Sequence, residues 1–148
     1  MSFEQTRDVI DRARAFHRDL RDFYRRLEDV AVKERVRILL DYLSRHEQVM
    51  EGRLAECEAT HDRGVLNTWF KYTPPPIREE IGKFVIRPDM SAEAVIRMAL
   101  QFDETLLRLY AHAADLAPTP EVKDLFQQLH DEGRKERAKL VRDAFEPE

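Results

Sequence analysis

The sequence predicts an all-α fold: one domain over residues 1-148, a four-helix bundle made of two helical hairpins joined by a long crossover at 64-90. Three observations predict it. Apolar residues recur at helical spacing through four long stretches. The chain has 4 Gly and concentrates its proline in a few places, so long helices are allowed. Finally, an ungapped register of 86 residues relates the first pair of stretches to the second.

The first helix spans 3 to 30 and carries Phe3, Ile10, Ala13, His17, Leu20, Tyr24 and Leu27 on one stripe. Its opposite face, with Asp8, Asp11, Arg14, Arg18, Arg21, Asp22 and Arg25, reads as a solvated surface of paired charges. The second helix, about 33 to 61, presents Val36, Leu39, Leu40, Leu43, Glu47, Met50, Leu54 and Cys57. A third opens at Ser91, an N-cap by type, and presents Val95, Ala99, Phe102, Asp103, Leu106, Tyr110 and Ala113. The Ala-Pro-Thr-Pro stretch at 117 to 120 ends it, and Thr119 with Pro120 suits the N-cap and first position of the fourth.

Few residues join the helices within each pair, which implies antiparallel hairpins. A 27-residue helix is about 40 Å long and about 12 extended residues span it, so residues 64-90 suffice to run the length of the bundle. A short turn of helix is expected at 77 to 84. Trp69, Phe70 and Tyr72 are expected to pin the crossover to the bundle, with a dimer or partner surface as the alternative.

In the register of 86, Ala13 matches Ala99, Phe16 Phe102, Leu20 Leu106, Tyr24 Tyr110, Val36 Val122, Leu43 Leu129 and Leu54 Leu140. The pattern suggests two related halves about a pseudo-twofold axis. The same register pairs His17 with Asp103, Glu47 with Gly133 and Met50 with Glu136, so the apolar stripe is interrupted at corresponding places. His17, Glu47, Asp103 and Glu136 all fall at mid-height, one per helix. Three carboxylates and an imidazole buried together need protons, a basic partner or a metal ion. Arg45, Arg53 and Lys135 are candidates for the basic partner.

With these features the chain resembles the ferritin-like superfamily, in particular its rubrerythrin-like branch: two hairpins, a long crossover, and polar residues at helix centres. The resemblance implies ligand positions at a Glu on each of helices 1 and 3 and a Glu-x-x-His on each of helices 2 and 4. Here those places hold His17, Asp103, Glu47-Gln-Val-Met50 and Gly133-Arg-Lys-Glu136, so neither Glu-x-x-His survives and the di-iron motifs are degenerate. What remains, His17, Glu47, Asp103 and Glu136, is a nitrogen and oxygen set suited to one Fe, Mn or Zn ion. The resemblance implies oxygen or peroxide redox or iron handling at such an ion. The other reading is a non-enzymatic structural or protein-interaction module without metal.

Other chemistry finds little support. A formal charge of -4 argues against a general nucleic-acid binder. Cys57 is the single cysteine, which excludes an internal disulfide and suits a reducing compartment; it reads as a buried thiol. No stretch approaches 18 apolar residues, and MSFEQTRDVIDRAR lacks an apolar secretory core, so no membrane span is expected and a cytoplasmic location is. His46, beside Glu47, turns about 100° away on a helix and is expected to flank the site. His61 and His112 are expected to be ordinary boundary residues. A bundle with one side covered only by a crossover predicts a homodimer as the default.

Overall fold

The computed structural model describes residues 2–145, and these are overwhelmingly helical. In chain order the elements are β1 (Phe3–Gln5), α1 (Thr6–Val30), α2 (Glu34–Thr60), α3 (Arg63–Leu66), β2 (Trp69–Lys71), α4 (Arg78–Gly82), α5 (Ala92–Leu116) and α6 (Pro120–Phe145). Contacts of Arg25 with Gln48, Arg18 with Glu51 and Arg14 with Glu58 climb α2 as they descend α1, so the first pair is antiparallel. α5 and α6 are joined by three residues and pack on each other likewise.

The helix ends have local causes. Ser91 Oγ accepts the Ala94 N–H at 3.1 Å, and Thr119 Oγ1 accepts the Val122 N–H at 3.2 Å, each satisfying a donor left free in a first turn. Asp8 does the reverse for α1, accepting the Gln5 N–H at 2.8 Å. The starts of α5 and α6 follow those of α1 and α2 by 86 residues, and α1 and α5 are both 25 residues long. The repeat thus appears in helix boundaries as well as in side-chain types.

One core serves both hairpins. Phe16 and Phe102, equivalent in the repeat, are fully buried and meet edge-on at 6.4 Å. Phe102 also packs against Phe23, Tyr24 and, from the crossover, Phe84. Each such pair contributes about 0.5–1.5 kcal/mol beyond its buried area.

The first helix starts at Thr6, not at residue 3. Phe3–Gln5 instead pairs antiparallel with Trp69–Lys71, in the register Phe3 with Lys71 and Gln5 with Trp69. This ribbon anchors the crossover at the start of α1, where the Thr6 N–H also donates to the Thr68 carbonyl at 3.0 Å. At the other end, the Val32 N–H in the α1–α2 turn donates to the Pro88 carbonyl at 3.1 Å. The crossover therefore runs the length of the first hairpin, and α4 falls inside the expected 77 to 84 turn. Phe70 and Tyr72 pin it as expected, with the Tyr72 hydroxyl donating to the Leu109 carbonyl at 3.3 Å. Trp69 does not: it is 60% exposed. No helix among the described residues is long and apolar enough to cross a membrane.

Candidate functional site

His17 and Glu47 lie on the inner faces of α1 and α2, and each is 3% exposed. Their placement follows from the stripe: His17 follows Phe16 and precedes Leu20, and Glu47 follows Leu43 by one turn, so both turn inward with the apolar residues. His17 Nδ1 and Glu47 Oε1 are 2.8 Å apart. A carboxylate only accepts, so with Glu47 ionised the ring proton sits on Nδ1, and a neutral imidazole leaves its lone pair on Nε2. That Nε2 is buried and has no hydrogen-bond partner.

A cleft of about 350 Å³ between α2, α5 and α6 reaches His17. Met50, Cys57, His61, Tyr110 and Glu132 are among its lining residues, and Glu47 is not. The cleft thus approaches the imidazole without reaching the carboxylate that holds it. A ring oriented by a carboxylate through one nitrogen is arranged to use the other, as a base or as a ligand.

Asp103, half-buried on α5, lies in charge range of Glu47. Desolvation first, and the Glu47 carboxylate second, hold its carboxyl well above the usual carboxylate range, with Arg137 opposing them. The fully buried Tyr24 hydroxyl is raised by burial and then by Glu47 and Asp103, which places all three in one electrostatic neighbourhood. Glu136 also raises the Asp103 carboxyl, but its own partners are basic. It accepts from Arg53 at 2.8 Å and lies 4.0 Å from His46. Desolvation raises its carboxyl, but the hydrogen bond and charge of Arg53, then His46 and Lys139, outweigh this and hold it below the ordinary value.

Of the four expected residues, the fold brings His17 and Glu47 into contact, Asp103 into charge range of Glu47, and holds Glu136, itself in charge range of Asp103, against an arginine. Arg53 is thus a counter-charge, whereas Arg45 pairs with Asp41 on its own helix. Arg137, which sequence reasoning missed, opposes the charge on Asp103. A basic residue one position beyond Glu136 was the available signal. Cys57 is half-buried at the cleft wall rather than sealed in the core. His112 packs beside Tyr72 in a tilted arrangement, 5.3 Å between ring centres.

At Gly133, a Cβ would come within 2.8 Å of Leu107 Cδ2. Leu107 Cδ2 occupies the space that a side chain at this position would enter. Among the described residues, no three His, Cys, Asp or Glu side chains are grouped closely enough to cage a cation as they stand.

No protein-family model, curated protein or solved structure matches this chain.

Proposed function

We propose that this chain is a ferritin-like four-helix bundle of the rubrerythrin-like kind, with a remodelled core site that takes a single transition-metal ion at His17. The observation that carries the reading is the buried, unpartnered Nε2 of an imidazole whose other nitrogen is held by Glu47. Repeated helix boundaries and a crossover along the first hairpin support the scaffold assignment.

The donor set fits an open single-ion site and not a di-iron centre. Two irons need bridging carboxylates and an imidazole on each metal, whereas here one imidazole is present, Glu136 is engaged by Arg53, and Leu107 fills the space beside Gly133. His17 would hold the ion, with the Asp103 carboxyl in its neighbourhood and Glu47 orienting the ring. The bound ion would supply Lewis-acid or one-electron chemistry, linked to iron handling or to oxygen or peroxide. The chain's own contribution is a fixed ring tautomer, a largely apolar surround and an entry cleft. Elemental analysis of untagged protein tests this: iron, manganese or zinc near one per chain, absent in His17→Ala, supports it. Metal content unchanged by His17→Ala contradicts it.

A second reading, a non-enzymatic interaction module, is favoured by one observation. The outer face of the β1–β2 ribbon exposes Phe3 at 61% and Trp69 at 60%. On this reading the ribbon is where a homodimer or protein partner would bind, and the core site would be inert.

A further inference from the structure

We propose that the outer groove between α5 and α6 binds a phosphate-bearing small molecule. The groove encloses about 460 Å³ and is lined by Arg108 on α5 and by Arg134 and Arg137, one turn apart, on α6. Leu107, Ala111, Ala138 and Val141 give it apolar walls. A single carboxylate, Glu104, lines it against three guanidinium groups, in a chain whose overall charge is negative.

Many arginines of the first hairpin are held by carboxylates, and the three of this groove are not. Arg12 pairs with Glu4, Arg14 with Glu51 and Glu58, Arg18 with Glu51, and Arg53 with Glu136. Among the described residues, Arg108, Arg134 and Arg137 form no salt bridge within 4.0 Å; Arg108 reaches only the Thr105 hydroxyl, at 3.3 Å. Arg137 acts on Asp103 at longer range, but like charges gathered without a salt bridge repel one another, and an unmade hydrogen bond on a buried donor costs about 1–3 kcal/mol. Arg137 Nε is such a donor, buried and unpartnered.

Planar guanidinium groups bind phosphate oxygens through paired N–H donors, and an anion among three of them relieves both costs. A volume of this order suits a small organic phosphate, whose carbon part would lie against the alanine and valine side chains. A membrane lipid headgroup offers the same chemistry. However, three guanidinium groups gathered in a recessed groove with apolar walls favour an anion that enters it over a flat charged surface.

The test is calorimetric titration of the full chain with pyrophosphate as probe, at low and at physiological salt. Arg108 and Arg134 are exposed, so Arg108→Gln with Arg134→Gln is expected to fold normally by circular dichroism. We expect saturable binding near one per chain, weakened at least about tenfold in this double variant, a cost of about 1.4 kcal/mol. Arg35→Gln with Arg37→Gln, the same charge change on α2, should leave binding within about twofold, since long-range charge is screened. No saturable binding, equal loss in both double variants, or retention only by vesicles containing phosphatidic acid would each overturn the proposal.

Discussion

The His17 imidazole and the Glu47 carboxylate, 30 residues apart in sequence, meet at 2.8 Å inside an apolar core. A glutamate stands where leucine would serve packing because its partner on the facing helix is a histidine. Removing one member of a buried pair leaves the other unsatisfied, at a cost of about 3–5 kcal/mol, whereas replacing both with apolar residues is often neutral or stabilising. His17→Leu and Glu47→Leu should therefore each lower the free energy of urea unfolding by about 3 kcal/mol, and the double variant should recover most of it. Additive losses would mean that the two side chains do not act as a pair.

The carboxyl of Glu58 makes folding stability pH-dependent near neutrality. Desolvation, then the neighbouring Asp11 carboxylate, push it up to about 7 against the opposing charge of Arg14. In the unfolded chain a glutamate titrates near about 4.3. Between these values the folded protein holds a proton that the unfolded chain releases, so this contribution is fully present below about 4.3 and is lost as pH rises through about 7. Urea midpoints of the native protein should fall between pH 5 and 8 relative to those of Glu58→Gln. Parallel curves would remove Glu58 as the cause.

Gly133 separates helix propensity from packing. Alanine there gains about 1 kcal/mol of propensity in a helix interior but forces Leu107 Cδ2 from its place 2.8 Å away. Gly133→Ala should be close to neutral on its own and stabilising by about 1 kcal/mol in a Leu107→Ala background. Denaturant unfolding of the four combinations measures the coupling, and an unchanged effect in the two backgrounds would contradict it.

The ribbon divides its aromatics between core and solvent. Phe70 is 4% exposed and packs near Phe126, whereas Trp69 beside it faces outward. Phe70→Ala should cost about 3–5 kcal/mol. Trp69→Ala should change stability by less than about 0.5 kcal/mol yet reduce any self-association detected by sedimentation velocity. A large stability loss from Trp69→Ala would assign it to packing instead.

Much of this architecture was legible because its signals are local. Ser91 and Thr119 cap through their own hydroxyls, and the repeat of 86 recurs in the helix starts. The ribbon was not legible, since three residues are too few to establish an alternating pattern and Phe3–Gln5 finds its partner at 69–71. At the site, periodicity located His17 and Glu47 on inner faces. It could not decide where Glu136 points, because that depends on Arg53, 83 residues away in sequence. Arg137 was missed for the same reason: its relation to Asp103 arises between helices, not along one.

The most direct measurement of the central claim follows both ring nitrogens of His17 by nuclear magnetic resonance, in protein carrying ¹⁵N-labelled histidine, during titration with Zn(II). Binding at the proposed atom predicts a saturating shift of His17 Nε2 at one equivalent, while Nδ1 keeps the signature of a proton donor to Glu47. Shifts confined to the more accessible His61 or His130, with His17 Nε2 unmoved at excess Zn(II), would contradict it.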